Sequence, residues 1–212
     1  MPMIALGYMA KRIVERPDWL DVPSVRDVYA VSDCISPDFA DYITFWAHNG
    51  FWFFDRPSYI TRLCTQHGIS LDGLTFVYYE AHPQQFDNDD HTWRDFEPDP
   101  DIKTDVFSAT ASILLGYDIV CYSMQNSPEC SPLSCNHVAT DVQVNSHCLI
   151  DSLDYAVQCL ETGIFDNAEP GPMRIVAVHS LRTGQERAGN WGMHGRTACG
   201  VFRDRQSTLR AP

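Results

Sequence analysis

The residues best suited to chemistry lie close together in the second half of the chain. Residues 126–137 read NSPECSPLSCNH, with cysteines at Cys130 and Cys135. His147 and Cys148 follow shortly afterwards. The segment comes after a predicted strand, and α/β proteins commonly place binding residues at strand ends. We therefore expect any site of this protein to include this segment.

One hypothesis for the segment is nucleophilic catalysis by a small thiol-dependent hydrolase or transferase. Cys130 or Cys135 would supply the thiolate, and His137 or His147 would act as the base that takes its proton. The side chains that would orient the base are Asn136 and Glu129. Residues adjacent in sequence need not face each other, so the geometry of this site is left open.

A second hypothesis is a metal site, with zinc as the ion. Cysteine and histidine are the ligand types that zinc prefers, and the candidates are Cys130, Cys135, His137, His147 and Cys148. The spacing differs from that of a zinc ribbon or knuckle, because four residues separate the first two cysteines and a second well-spaced pair is missing. A third alternative is that the thiols are inert members of a proline-ordered loop.

The remaining cysteines suggest packing rather than chemistry. Cys34, Cys64 and Cys159 fall within apolar patterns, so we predict that they are small core residues. Neither a secretory signal nor an apolar run of transmembrane length is apparent in the sequence. These features predict a cytoplasmic protein with reduced thiols and no membrane association.

The charge balance suggests the kind of partner. The chain has a formal charge of −13, and the first 181 residues carry nine basic and 26 acidic side chains. Such a surface lacks the basic residues that neutralise phosphates, so it argues against nucleic acid. Residues 87–105 contain eight carboxylates and are predicted to form an exposed loop. This loop is the candidate contact surface for a basic protein partner.

The elements that position these residues follow from periodicity and turn signals. They predict one α/β or α+β domain over residues 1–181, with a mixed sheet of about four to six strands and about three packed helices. The predicted strands are residues 7–14, 27–32, 74–80, 117–124 and 174–179. The predicted helices begin at Ser36, at Asp55 to Pro57 and at Asp151, and each ends at a glycine. Residues 182–212 are predicted to be a poorly ordered basic tail.

Four segments also carry a resemblance. They are VSDCIS at residues 31–36, WAHNGFWFFD at 46–55, ECSPLSCN at 129–136 and EPGP at 169–172. These segments resemble those of a group of uncharacterised bacterial proteins with an ECSPLSCN-type loop, and the likeness spans most of residues 3–180. The resemblance implies a bacterial, cytoplasmic protein and assigns no catalytic residue.

Two function classes follow from the sequence. The first is an acidic binding protein of the immunity or inhibitor type, which engages a basic protein partner and needs no active site. The alternative is the thiol enzyme or metal-binding protein centred on Cys130 to His137. The sequence does not predict the oligomeric state.

Overall fold

Seven strands and three α-helices are found in the described part of the computed structural model, which comprises residues 2–39, 48–96, 104–106, 111–122 and 128–181. The strands are β1 (Ile4–Lys11), β2 (Val14–Glu15), β3 (Asp27–Val28), β4 (Thr75–Asp87), β5 (Thr92–Asp95), β6 (Ser112–Cys121) and β7 (Met173–Leu181). The helices are α1 (Pro57–His67), α2 (Pro132–Cys135) and α3 (Leu153–Glu161). This arrangement confirms the predicted α+β class.

Five strands form the main sheet, as predicted. Its order is β1-β4-β7-β6, with β5 paired to β4 beside this path. Each of these pairings is antiparallel, and β2 and β3 form a separate two-stranded sheet. The pairing of the two long central strands, β4 and β7, therefore joins a first half of the chain, which contains β1 and β4, to a second half, which contains β6 and β7.

The helix ends follow local signals. Gly68 ends α1 in the left-handed conformation, at φ 66°, as its position in the sequence predicts. The hydroxyl of Ser152 accepts a hydrogen bond from the Tyr155 amide and caps α3. Asp151, the predicted cap, instead accepts a hydrogen bond from Asn145. None of the described helices is long and apolar enough to cross a membrane.

The acidic segment is not a simple loop. Residues Thr92–Asp95 form β5, so the prediction of an exposed loop over residues 87–105 is wrong for this part. Arg94 forms ion pairs with both Asp87 and Asp90, which reduces the negative charge of the hairpin. Residues 97–103 lie outside the described residues, as does the whole predicted tail.

The prediction of a helix that begins at Ser36 is wrong for residues 36–39, because Ser36 donates to the Val28 carbonyl and Asp38 forms a β-bridge with Lys11. Residues 40–47 of that predicted helix lie outside the described residues.

An unexpected feature is a turn built around one asparagine in each half. In the first half, the side-chain amide of Asn49 donates to the Leu6 carbonyl and to Asp55. Its oxygen accepts hydrogen bonds from the amides of Phe51 and Phe53. This side chain thereby attaches the start of α1 to β1.

Asn145 makes the corresponding four hydrogen bonds in the second half. Its amide donates to the Leu115 carbonyl and to Asp151. Its oxygen accepts from the amides of His147 and Leu149, at the same spacing as in the first half. Asn145 therefore attaches the start of α3 to β6 as Asn49 attaches α1 to β1.

The two turns pack on glycines at equivalent places. Gly7 in β1 and Gly116 in β6 have φ of 133° and 149°, and each lies at an irregularity in the strand pairing. A Cβ atom would lie 2.7 Å from the Phe54 carbonyl oxygen at Gly7 and 2.8 Å from the Ile150 carbonyl oxygen at Gly116. Only glycine fits both the backbone angle and the space. The described chain is thus built from two similar β–α–β halves.

Candidate metal centre

Two loops from the two halves meet beside β6. The Val31 amide donates to the buried Asp118 carboxylate at 2.9 Å, and the Ser32 amide donates to the Ser131 hydroxyl at 3.1 Å. Ser131 in turn hydrogen-bonds Asp118. These bonds hold residues 31–36 of the first half against residues 129–136 of the second.

A buried lysine fixes the first of these loops. Lys11, at the end of β1, is 1% exposed. Its Nζ donates to the carbonyls of Val31 and Ser32 at 2.9 and 3.1 Å and to the Asp33 carboxylate at 2.5 Å. A buried ammonium with three acceptors avoids the cost of an unpaired charge. The backbone just before Cys34 is consequently held in place.

The meeting of the loops brings three thiols together. The sulfur atoms of Cys34, Cys130 and Cys135 all lie within 4.8 Å of one another. Cys130 is buried, Cys135 is half-buried and Cys34 is exposed, so the cluster opens to solvent at Cys34. The prediction that Cys34 is a core residue is therefore wrong, whereas Cys64 and Cys159 are buried as predicted.

A single helical turn folds the two later cysteines towards each other. The amides of Ser134 and Cys135 both donate to the Ser131 carbonyl, at 3.0 and 2.9 Å. Pro132 occupies the first helical position, where its missing amide hydrogen costs nothing. The segment that the sequence predicts to be a loop is thus helix α2, and the turn places Cys135 near Cys130.

Asn136 is a structural partner of the cluster. Its Oδ1 accepts from the Cys130 thiol at 3.0 Å. Its Nδ2 donates to the Ala168 carbonyl at 2.9 Å and to the Glu169 carboxylate at 3.1 Å. These bonds attach α2 to the segment before β7. The observed partners of Asn136 are thus a thiol, a carbonyl and a carboxylate. Its predicted role, to orient a catalytic base, stays a prediction.

The proton affinities of the three thiols differ. The contact with Cys130 is the largest cause that lowers the pKa of Cys135, and the Ser131 backbone and the Ser32 side chain lower it further. The same contact raises the pKa of Cys130. Burial, followed by the negative charge on Cys135, raises the pKa of Cys34. Cys135 is therefore the first of the three to ionise.

Asp118 is a buried carboxyl group under the cluster. It is 1% exposed, and this burial raises its pKa to about 7 although Ser131 and the Val31 amide donate hydrogen bonds to it. Asp118 lies two residues after Gly116. The equivalent position in the first half of the chain, two residues after Gly7, is Met9. The carboxyl group is thus specific to the half that provides Cys130 and Cys135.

The predicted histidines have other partners. The His137 ring lies edge-on to Trp19, with ring centres 4.9 Å apart. His147 Nδ1 lies 2.5 Å from Asp27 Oδ1. Over the part of the chain that the structure describes, neither histidine is hydrogen-bonded to a cysteine sulfur. Thiol catalysis with His137 or His147 as the base stays a prediction.

Glu129 and Cys148 complete the predicted set. The backbone carbonyl of Glu129 accepts from the Cys34 thiol at 3.4 Å, so this residue contacts the cluster through its main chain. Cys148 is 3% exposed, and burial raises its pKa to about 12. It does not belong to the group of three thiols found among the described residues.

The dimensions of the cluster suit a thiolate-bound ion. Zinc binds sulfur at about 2.3 Å with tetrahedral angles, which places two sulfurs about 3.8 Å apart. The observed upper limit of 4.8 Å requires each sulfur to move by about 1 Å or less. Cys34, Cys130 and Cys135 could therefore hold a metal ion.

Sequence reasoning missed Cys34 because it lies in the other half of the chain. A signal was present: Cys34 precedes Ser36-Pro37, and Cys130 precedes Ser131-Pro132.

The resemblance to a group of bacterial proteins stays a prediction, and it assigns no activity to this chain. Comparison of this chain with protein-family models, with curated proteins and with solved structures finds no match.

Proposed function

We propose that this protein binds a thiophilic metal ion through Cys34, Cys130 and Cys135, with zinc as the first ion to test. The observation that carries the proposal is the approach of three sulfur atoms to within 4.8 Å of one another. Thiolates are preferred ligands of zinc and of other soft ions. The predicted zinc site thus keeps Cys130 and Cys135 and takes Cys34 in place of the histidines.

The support around the thiols favours a built site over inert cysteines. Lys11 fixes the loop before Cys34 through three hydrogen bonds, and Asn136 attaches helix α2, which carries Cys135, to the segment before β7. Partners of this kind orient ligands and tune the affinity of metal sites.

Three protein ligands leave one position of a tetrahedral ion for another molecule. In zinc proteins, closed four-ligand sites are structural, whereas sites with three protein ligands keep an open position. The exposed side of this cluster is at Cys34, so the open position would face solvent. The bound ion would therefore be accessible to small molecules.

The test is native mass spectrometry of the reduced full-length protein after addition of one equivalent of zinc. The expected result is one bound zinc ion, which is lost or weakened in Cys34→Ser, Cys130→Ser and Cys135→Ser. Cys64→Ser is the matched control because Cys64 is a buried thiol in helix α1, outside the cluster. Circular dichroism of each variant checks that it is folded.

Two results would contradict the proposal. One is a wild-type protein that remains free of zinc and of other thiophilic ions when each is added in excess. The other is zinc binding that survives all three cluster substitutions, because the ligands would then lie elsewhere. Cys199→Ser is included since Cys199 lies outside the described residues and could supply a ligand of its own.

A further inference from the structure

The charges around the three thiols suggest the valence of the bound ion. This inference deepens the proposed function and rests on it. We infer that the cluster best fits a trivalent thiophilic metalloid, arsenic(III), bound by three thiolates and taken up from arsenite. Three features of the described residues support this ion: the number of donors, the net charge of the complex and the access to the sulfurs.

The donor count is three. Among the described residues, the group of candidate ligands at this place consists of Cys34, Cys130 and Cys135, without a histidine or a carboxylate as a fourth member. A tetrahedral zinc ion needs a fourth ligand from outside the protein. Trivalent arsenic carries a lone pair and is satisfied by three thiolates in a pyramid. The described residues therefore complete the shell of the metalloid but not that of zinc.

The net charge points the same way. Three thiolates around a divalent ion leave a charge of −1, whereas three thiolates around a trivalent ion give a neutral complex. A carboxylate already lies nearby, since Glu169 interacts with Cys130. The neighbour of Cys135 on the other side is the carboxyl group of Asp118, which is 1% exposed, so little solvent is present there to stabilise a charge. A further uncompensated negative charge in a partly buried place is costly.

The neighbouring cation does not offset that charge. Lys11 fixes the loop that carries Cys34, but its ammonium group already forms an ion pair with Asp33. Its other two hydrogen bonds go to backbone carbonyls. The ammonium is thus committed to the loop, and a neutral tris-thiolate complex suits these surroundings better than an anionic one.

Access and stoichiometry are compatible with uptake from solution. Arsenous acid reaches the cluster at the exposed Cys34, and Cys135 and Cys130 lie behind it. Three arsenic–oxygen bonds break and three arsenic–sulfur bonds form. Each thiol proton leaves with one hydroxide as water, so three water molecules are released. Arsenic stays in the trivalent state throughout, and no oxidant or reductant is needed.

The experiment is native mass spectrometry of the reduced full-length protein with sodium arsenite alone, zinc chloride alone and an equimolar mixture of both. We expect one arsenic atom to add with loss of three hydrogens, and the same species to dominate in the mixture. Alkylation followed by peptide mapping should show protection of all three cluster cysteines, a readout that needs no variant. Cys64→Ser should keep the adduct, and Cys34→Ser should lose the three-thiol form.

The possible failures are distinguishable. If zinc binds through the three thiols and excludes arsenite from the mixture, the trivalent assignment is overturned while the proposed metal site stands. An arsenic adduct that retains a hydroxyl group and protects two cysteines also overturns it. If neither zinc nor arsenite binds, both the inference and the proposed function are wrong.

Discussion

Asp118→Asn should remove a large pH dependence of stability. Burial raises the pKa of Asp118 from 3.8 to about 7, so the folded protein prefers the neutral carboxyl. At about 1.4 kcal/mol per pKa unit, that difference corresponds to about 4 kcal/mol. Below about pH 4 both states are protonated and this stability is fully present. It is lost as the pH rises towards 7, because the unfolded chain then ionises first.

The substitution isolates this one group. An asparagine oxygen can still accept from the Val31 amide, and its amide group can donate to Ser131, so the bonds at Asp118 are kept in a neutral form. The free energy of unfolding of the reduced, metal-free protein would be measured with urea at several pH values. Between pH 4 and pH 8, wild type should lose about 4 kcal/mol more than Asp118→Asn.

The refuting result is an equal pH dependence in the two proteins. Asp118 would then ionise as readily in the folded protein as in the unfolded chain, which is incompatible with its burial beneath the cluster. Asp141→Asn is the matched control because Asp141 is an exposed aspartate. If it altered the pH dependence as much as Asp118→Asn, the effect would not be specific to the buried carboxyl.

Three further predictions address the support of the site and the predicted partner. Lys11→Met should lower the free energy of unfolding by about 3 kcal/mol, because it leaves two buried carbonyls without a donor; an unchanged urea midpoint would contradict this. Gly7→Ala and Gly116→Ala should each destabilise more than Gly73→Ala, where a new Cβ meets nothing within 4 Å; thermal unfolding measures the difference, and equal losses would refute the close packing. Replacing the exposed aspartates of residues 89–95 by asparagine should abolish capture of a basic protein from a lysate; wild type that captures none would count against the binding protein.

Local signals in the sequence predicted α1 and α3, whereas α2 lies in a predicted loop. Pro57 and Gly68 bound α1, and the helix stripe before Gly163 identifies α3, because capping and apolar spacing act over a few residues. The ends of the strands were less predictable. β4 continues to Asp87 because Gln85 and Phe86 pair with Arg174 and Met173 of β7, and pairing with such distant residues decides where a strand stops.

The repeat of the two β–α–β halves leaves matching residues in the sequence, but only the structure makes the repeat recognisable. Asn49 and Asn145 each precede an aspartate by six residues, and each aspartate lies two residues before a helix. Such sparse matches carry little weight alone. Their meaning comes from the hydrogen bonds that each asparagine makes to a strand before a glycine.

The sequence by itself determined the fold class and two helices and marked the segment with Cys130, Cys135 and Asn136 as a candidate site, because these follow from composition and local spacing. Only the tertiary structure added Cys34 and placed His137 and His147 elsewhere. The physical reason is that a site made of two loops depends on the contact between them. Sheet order and the hydrogen bonds to Asp118 and Ser131 set that contact, and neither is visible in local sequence.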